Sequence, residues 1–201
     1  MGHYNTKKGI EEYILRSQNW KDPGIIKILK KYLPKHATLL ELGMGPGRDF
    51  DILQKIYKAT GSDKSKRFLD RYKKLHKDSN LVKLDAITIR INKKFDCVFS
   101  NRVLHHLTKS QLKRSLARQN EILNQDGIAF HTFWKGSITE KKKGLYWVYY
   151  QKEPLKKILK QYFKILELEI FSSDKKNDSI YAVLKKLTKT NGTIAFTSSS
   201  C

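Results

Sequence analysis

Three closely spaced glycines, with acidic residues before and after them, are the residues of this sequence best suited to bind a ligand. Gly43, Gly45 and Gly47 follow a short apolar run, and glycine lets the backbone of a turn approach a ligand closely. A glycine-rich turn between a strand and a helix is typical of sites for nucleotide-like cofactors. Asp63 ends the next apolar run, where a carboxylate can accept hydrogen bonds from both hydroxyls of a ribose.

Two details of this turn distinguish between a dinucleotide and other nucleotide-like cofactors. The dinucleotide fingerprint is G-x-G-x-x-G, whereas the pattern here is G-x-G-x-G and Arg48 stands where the last glycine is needed. Glu41 lies two residues before Gly43, where its charge would repel a pyrophosphate and attract a cation. The methionyl end of S-adenosylmethionine carries an ammonium and a sulfonium, so these residues favour that methyl donor over NAD.

The spacing of apolar residues predicts the elements that position these groups. Short apolar runs alternate with helical stripes, which is typical of strands and crossover helices in a parallel sheet. Strands are predicted at 37–42, 59–63, 81–84, 95–100 and 128–134, and helical stripes at 10–14, 25–32, 50–57, 68–75, 112–123 and 155–162. The last runs, 163–171 and 179–184, should pair antiparallel. The predicted fold is α/β and Rossmann-like, a doubly wound, mostly parallel sheet of about seven strands with a C-terminal antiparallel hairpin.

Two local signals refine this prediction. Thr108 and Gln111 have the spacing of a capping box at the start of a helix, with Leu107 and Leu112 placed as its hydrophobic staple. The segment 124–127 is predicted to be a turn before the fifth strand.

Length and composition bound the organisation of the chain. Its 201 residues, 39% of them hydrophobic, suit one domain. We expect this domain to cover 1–187, with a helical cap over about 1–33, and 188–201 to be a disordered tail because that segment is rich in Thr, Ser, Asn and Gly. There is no long apolar run, no apolar signal core and no metal-ligand spacing of the two cysteines. A cytoplasmic protein without a metal or a membrane span is therefore expected.

The net charge of +22 is the one extreme of the composition. A nucleic-acid partner would explain it. The lysines, however, are spread over almost every predicted helix instead of forming one stripe, and arginine, the better phosphate reader, is scarce. These features favour solvated surface charge, with RNA as the alternative partner.

Five segments, in order, resemble the motifs of class I S-adenosylmethionine-dependent methyltransferases. They are Glu41–Gly47, Gly61–Ser65, Leu84–Ala86, Phe95–Asn101 followed by Leu104–Leu107, and Leu123–Gly127. The resemblance covers about 33–186, and the Leu-His-His-Leu sequence of 104–107 is similar to the small-molecule branch of type 11/25. It implies methyl transfer from S-adenosylmethionine to an oxygen, nitrogen or carbon of a small molecule.

The resemblance also implies roles for individual residues. Glu41 would hold the methionyl end of the cofactor, Asp63 the ribose, and Asp85 with Ala86 the adenine. The residues expected to bind the cofactor are Glu41, Leu42, Gly43, Gly45, Gly47, Ser62, Asp63, Asp85, Ala86 and Asn101.

Residues in and after the fourth and fifth strands are the candidates for a general base and for contacts with the methyl acceptor. His105 and His106 stand at the carboxyl edge of the sheet, where one of them can act as general base. The candidates for substrate contacts are His131, Trp134, Tyr149 and Tyr150. Core packing is the alternative interpretation of these rings, because aromatic side chains bury large areas.

Two other functions remain open from the sequence. An RNA methyltransferase would agree with the charge, but Ser100–Val103 lacks the N-P-P-Y type of motif found in similar amino methyltransferases. A non-catalytic partner subunit would keep the fold alone, and the intact glycine turn with both aspartates argues against it.

Overall fold

The computed structural model describes residues 4, 6–17 and 24–187. The predicted tail 188–201 and parts of the predicted helical cap lie outside the described residues. The helices are α1 (Lys7–Ser17), α2 (Ile25–Leu29), α3 (Arg48–Leu53), α4 (Lys66–Leu75), α5 (Lys109–Ile122) and α6 (Lys152–Leu159), with a 3₁₀ helix at Leu104–His106. The strands are β1 (Thr38–Leu42), β2 (Lys58–Asp63), β3 (Leu81–Lys83), β4 (Phe95–Ser100), β5 (Leu123–Trp134), β6 (Thr139–Lys142), β7 (Leu145–Val148), β8 (Phe163–Phe171) and β9 (Ser179–Lys186).

Seven of these strands form one sheet in the order β3-β2-β1-β4-β5-β9-β8. The first five are parallel to one another, and β9 runs antiparallel to both β5 and β8. This arrangement confirms the predicted fold, including the antiparallel pair at the end of the sheet. The order reverses at β1, which pairs with β2 on one side and β4 on the other. In open α/β sheets, ligands bind beyond the carboxyl ends of the strands at such a reversal.

The core has two apolar layers, one on each face of the sheet. Leu40 and Leu42 pack in one layer with the buried residues of α5 and α6, and Leu39 packs in the other with α2 and α3. Because successive residues of a strand point to opposite faces, a strand covered on both sides reads as a continuous apolar run. This is why β1 could be predicted from its composition.

The predicted start of α5 is confirmed. Thr108 Oγ1 accepts a hydrogen bond from the backbone N–H of Gln111 at 3.3 Å, and Gln111 Oε1 accepts one from the N–H of Thr108 at 2.9 Å. Leu107 and Leu112 are both buried, as expected of a hydrophobic staple.

The predicted turn at 124–127 lies inside β5 instead of before it. Leu123 pairs with Phe95, and Ile128 pairs with Cys97. The segment 124–127 of β5 therefore stands opposite the single residue Asp96 of β4. These residues form a bulge, and Asp126 adopts a left-handed conformation there, with φ of 63°. Asp126 has a conformation typical of turns, but the pairing on both sides of the segment makes it part of β5.

A second, two-stranded sheet was not predicted. Strands β6 and β7 pair antiparallel around the two-residue loop Lys143-Gly144, whose φ values of 50° and 76° are those of a type I′ turn. The Lys-rich aromatic segment after the fifth strand is therefore a β-hairpin, which we call the β6–β7 hairpin. Its backbone contacts the 3₁₀ helix, since His106 Nδ1 lies 2.7 Å from the carbonyl oxygen of Tyr146.

Candidate active site

A cavity of about 620 Å³ lies at the carboxyl edge of the parallel strands. This volume is within the range of small-molecule sites. Its wall is formed by the glycine turn after β1, the ends of β2 and β3, the 3₁₀ helix after β4, α1 and the β6–β7 hairpin. The predicted site residues that line it are Gly43, Gly45, Asp63, Asp85, Ala86, His105, His106 and Trp134.

The three positions of the turn require glycine for different physical reasons. All three have positive φ, of 69°, 54° and 95° in chain order. A Cβ on Gly43 would lie 2.7 Å from both Cγ atoms of Val103, and one on Gly47 would overlap the ring of Tyr72. A Cβ on Gly45 would contact only Tyr13, at 3.6 Å. Gly43 and Gly47 are therefore required by packing, whereas the space beside Gly45 adjoins the cavity.

Replacing Gly47 by alanine should lower the free energy of unfolding by about 3 kcal/mol. The strain of a positive φ and the collision with a packed ring each cost about 1–3 kcal/mol. Gly24→Ala is the matched control, because Gly24 has φ of 83° and no atom of the described residues lies within 4 Å of the added Cβ. Urea unfolding should show a loss of only about 1 kcal/mol for the control. Equal losses for both variants would show that the Tyr72 contact is unimportant.

Asp63 joins the end of β2 to the glycine turn. Its carboxylate accepts hydrogen bonds from the N–H groups of Gly45 at 2.9 Å and Ser65 at 2.7 Å. Burial raises the pKa of Asp63, and these hydrogen bonds to the charged form oppose that rise. A carboxylate has about four acceptor positions, so the side chain has capacity for a ligand hydroxyl on the cavity wall.

Asp85 lies beside Asp63, after the end of β3. One carboxylate oxygen accepts a hydrogen bond from the N–H of Ile87 at 2.8 Å, and the other lies 2.7 Å from Lys64 Nζ. Burial alone would raise the pKa of Asp85, but these two partners hold it below its ordinary value. Asp85 is therefore a charged acceptor on the wall, next to Ala86.

Glu41 is buried behind the turn and is not part of the cavity wall. Burial raises the pKa of its carboxyl well above the ordinary value, and the charges of Asp49, Asp63 and Asp51 raise it further. Within the described residues its Oε2 has no hydrogen-bond partner. A buried carboxyl without a partner is costly, and a cationic ligand group is the partner that its charged form lacks. Together with the open side of Gly45 and the acceptor capacity of Asp63, this fits S-adenosylmethionine.

Four other predicted cofactor residues support the turn from behind instead of lining the cavity. Ser62 Oγ donates to the carbonyl oxygen of Glu41 at 2.6 Å. Asn101 Nδ2 donates to Asp49 at 2.8 Å, and its Oδ1 accepts from Thr132 Oγ1 at 2.6 Å. Leu42 is fully buried in the core, and Gly47 packs against Tyr72.

The two histidines differ in what their ring nitrogens contact. Since the Tyr146 carbonyl can only accept, His106 Nδ1 carries the proton of that hydrogen bond and Nε2 is the acceptor nitrogen. Burial lowers the pKa of His106 in spite of this bond, so the neutral form of the ring predominates at pH 7. His105 is fully buried, and within the described residues neither of its ring nitrogens has a partner. Burial, His106 and Arg102 lower the pKa of His105 well below its ordinary value.

Aromatic rings surround this histidine pair. Trp147 lies on the β6–β7 hairpin. The centre of its ring is 5.1 Å from the ring centre of His105 and 4.7 Å from that of His106. Trp134 also lines the cavity, and the Arg102 guanidinium lies 4.4 Å from the centre of its ring. Arg102 in turn pairs with Asp174 at 3.1 Å.

The remaining predicted substrate residues do not line the cavity. His131 is fully buried, with Ser100 Oγ 2.8 Å from Nδ1 and Gln119 Oε1 2.7 Å from Nε2. Burial lowers its pKa to about 3. Tyr150 is buried against Phe133, and Tyr149 interacts with Glu140. We therefore do not include these three residues among the proposed substrate contacts, because their side chains already contact the core or the hairpin.

Other wall residues were missing from the predicted set. Tyr4 and Arg16, the latter on α1, contribute to the wall on the side of the glycine turn. Glu12 Oε2 lies 2.9 Å from Lys143 Nζ, so α1 and the β6–β7 hairpin, which both contribute residues to the wall, contact each other. Arg102, Asp174 and Trp147 complete the other side. These contacts join residues far apart in the chain, and their only local signal was the aromatic content of the hairpin segment.

Two negative findings apply to the described part of the chain. No helix among residues 7–17 and 24–187 is long and apolar enough to cross a membrane. The same residues contain no group of His, Cys, Asp or Glu side chains arranged to hold a metal ion.

Comparisons with known proteins bear on the family and the fold of this chain. Residues 39–127 match a family model described as a methyltransferase domain. No curated protein sequence matches the chain. Among solved structures, the N-methyltransferase NodS from Bradyrhizobium japonicum, in complex with S-adenosylhomocysteine, has 17% identity and a TM-score of 0.69, with 90% of this chain and 98% of that chain covered.

Two further solved structures have the same fold. The 1,6-didemethyltoxoflavin-N1-methyltransferase from Burkholderia thailandensis has 17% identity and a TM-score of 0.73, with 90% of this chain and 86% of that chain covered. An S-adenosylmethionine-dependent methyltransferase from Clostridium acetobutylicum has 17% identity and a TM-score of 0.69, with 90% and 98% covered. At these identities the likeness shows the fold, while the matched segment 39–127 spans the glycine turn, both aspartates and the histidine pair. Residues 39–127 therefore match the methyltransferase domain family, and the chain has the fold of S-adenosylmethionine-dependent methyltransferases.

Proposed function

We propose that this protein transfers a methyl group from S-adenosylmethionine to an oxygen, nitrogen or carbon atom of a small molecule. The observation that supports this most is the position of the neutral His106 on the same cavity wall as the glycine turn and Asp63. A ligand held at the turn and an acceptor held at the histidine would share one cavity of about 620 Å³.

The chain offers separate groups for each part of the cofactor. Gly45 would give the cofactor close access to the backbone, Asp63 would accept hydrogen bonds from the ribose, and Asp85 with Ala86 would contact the adenine. Glu41 lies buried behind the turn, where its charged form would balance the positive methionyl end. When bound, S-adenosylmethionine supplies a methyl group made electrophilic by the sulfonium.

His106 would take the proton that an O–H or N–H acceptor loses. Its Nε2 is the unprotonated nitrogen, and the Tyr146 carbonyl holds the ring in this tautomer. Trp134 and Trp147 would position the acceptor and keep water out of the cavity. Holding both reactants in line can supply most of the rate enhancement of such a displacement.

The elements that line the cavity favour a small acceptor over RNA. Residues of α1 and of the β6–β7 hairpin both line it, and Glu12 on α1 lies 2.9 Å from Lys143 on the hairpin. A polymer would have to pass these two elements in order to reach His106. The Burkholderia thailandensis structure contains bound 1,6-didemethyltoxoflavin, and a small heterocycle of that kind is consistent with the aromatic wall here.

A labelling screen tests this function. The protein is incubated with a metabolite extract and S-adenosylmethionine labelled on the methyl group, and products are identified by mass spectrometry. We expect a labelled small molecule, together with calorimetric binding of S-adenosylhomocysteine. Label transferred to RNA alone would favour the RNA alternative. Binding of neither cofactor form would reject methyl transfer, and cofactor binding without any labelled product would favour the non-catalytic subunit.

A further inference from the structure

A continuous chain of hydrogen bonds crosses the core and ends on the cavity wall. Ser100 Oγ lies 2.8 Å from His131 Nδ1, and His131 Nε2 lies 2.7 Å from Gln119 Oε1. Gln119 Nε2 donates to Ser115 Oγ at 3.0 Å, and Ser115 Oγ donates to the carbonyl oxygen of Ala86 at 2.6 Å. The four side chains are fully buried. They connect β4, β5 and α5 to the loop after β3.

The direction of every bond in this chain is determined by its last member. The Ala86 carbonyl only accepts, so it takes the single proton of Ser115 Oγ. Ser115 must then accept from the amide nitrogen of Gln119, which leaves Gln119 Oε1 to accept from His131 Nε2–H. His131 Nδ1 is therefore unprotonated and accepts from Ser100. Burial lowers the pKa of His131 to about 3, so the ring is neutral at pH 7 and its single proton lies on Nε2, as the hydrogen bonds require.

The loop after β3, which contains Ala86, is held by α5 at two places. Besides the bond from Ser115 to Ala86, the Arg118 guanidinium donates to the carbonyl oxygens of Ile89 at 3.1 Å and Ile91 at 2.8 Å. The bond to Ala86 is the one closest to the cavity, and Ala86 lines the wall beside Asp85. The Ala86 carbonyl belongs to the peptide whose N–H, that of Ile87, donates to the Asp85 carboxylate at 2.8 Å. The position of this peptide, and with it that of the Asp85 carboxylate beside Ala86, thus depends on a hydroxyl whose own position depends on Gln119 and His131.

Within the described residues, the backbone N–H of Ala86 has no hydrogen-bond acceptor. A peptide donor therefore stands next to the carboxylate acceptor of Asp85. This donor and acceptor complement the edge of adenine, where an amino group that donates lies beside a ring nitrogen that accepts. A hypoxanthine edge has the opposite pattern, with a carbonyl oxygen beside a ring N–H.

We propose that Ser115, Gln119 and His131 are positioning residues that hold Ala86 in register with Asp85 and thereby set the selectivity for adenine in the cofactor. The proposal rests on the proposed function, because it requires S-adenosylmethionine in this cavity. None of the three side chains lines the cavity, so their effect passes through the peptide between Ala86 and Ile87 to the Asp85 carboxylate.

Calorimetry with two ligands tests this role. S-adenosylhomocysteine and S-inosylhomocysteine differ at the adenine amino group, and the wild-type protein should bind the first more tightly. Ser115→Ala should weaken binding of S-adenosylhomocysteine about tenfold, the effect of one misplaced hydrogen bond. Binding of S-inosylhomocysteine should change little, so the ratio of the two Kd values should fall about tenfold.

Three further variants separate positioning from stability. Leu116→Val, in the same helix and fully buried, removes apolar volume without touching the chain of bonds and should keep the wild-type ratio. Gln119→Leu should lower the ratio of the two Kd values in the same way. It replaces Ser115→Ala in the test if that variant does not fold. The double variant Ser115→Ala/Gln119→Leu should be no worse than either single variant, because each already interrupts the same chain.

The outcomes distinguish this inference from the proposed function. A wild-type protein that binds neither ligand overturns both. If the wild type binds and discriminates, an unchanged ratio in Ser115→Ala and Gln119→Leu overturns the positioning role alone. An equal fall of the ratio in Leu116→Val also overturns it, because general loosening of α5 would then be the cause.

Discussion

His106→Phe should lower kcat for methyl transfer about 100-fold or more while leaving the Kd for S-adenosylhomocysteine within about threefold. The loss is that of a positioned general base, and phenylalanine preserves the aromatic volume beside Trp147. The measurement is the single-turnover rate with the acceptor identified by the labelling screen. His105→Phe is the matched control. It removes the neighbouring ring, which has no hydrogen-bond partner among the described residues, and should reduce the rate far less.

The pH dependence of the rate provides a second check on His106. Burial places the pKa of His106 below its ordinary value near 6.5. The neutral, proton-accepting form therefore predominates above pH 6.5, and the rate should reach a plateau as the pH rises further. As the pH falls through the lowered pKa the ring becomes protonated and the rate should decrease. A rate that rises on acidification, or a His106→Phe variant with the same profile, would contradict the assignment.

Asp63→Ala should weaken binding of S-adenosylhomocysteine by about 100-fold. The substitution removes a carboxylate that accepts hydrogen bonds from Gly45 and Ser65 and, in our proposal, from the ribose. Hydrogen bonds to a charged group contribute about 1.5–3 kcal/mol each, and a total near 3 kcal/mol corresponds to about 100-fold in Kd. Isothermal titration calorimetry measures this change directly.

Asp96→Ala is the control for a general loss of stability. Asp96 is also a carboxylate on a parallel strand, and it accepts from Thr38 at 2.7 and 2.8 Å and from Asn124 at 2.7 Å. Because Asp96 lies at the start of β4, those contacts are at the opposite edge of the sheet from the cavity. Asp96→Ala should therefore lower the free energy of unfolding but keep the Kd near the wild-type value. Equal weakening in both variants would remove Asp63 from the cofactor site.

Much of the fold could be predicted because its signals are local. The buried strands read as apolar runs, and the capping box of Thr108 and Gln111 marks the start of α5 in the sequence itself. The bulge in β5 was harder to predict, because the residues around Asp126 have the composition of a turn. Pairing of Leu123 with Phe95 on β4 makes that segment part of the strand, and such pairing is not visible in one segment.

The candidate site was predictable in its cofactor half and much less so in its acceptor half. Gly43, Gly45, Asp63 and Asp85 occur in turns directly after strands, so the parallel sheet brings them to one edge. His131 had the right residue type and a neighbouring strand position, but its ring points into a hydrogen-bond chain with Gln119. Side-chain direction along β5 depends on register, and a strand alternates its faces at every residue.

The glycine turn separates the properties that follow from local sequence from those that follow from long-range packing. The residue types and spacing from Glu41 to Gly47 were enough to predict a strand, a tight turn and a preference for a cationic ligand over a pyrophosphate. Tertiary packing made Gly43 and Gly47 necessary beside Val103 and Tyr72, placed Glu41 behind the wall, and brought Trp147 to the histidines. This difference arises because backbone conformation depends on neighbours in the chain, whereas contacts between distant segments exist only after the sheet has assembled.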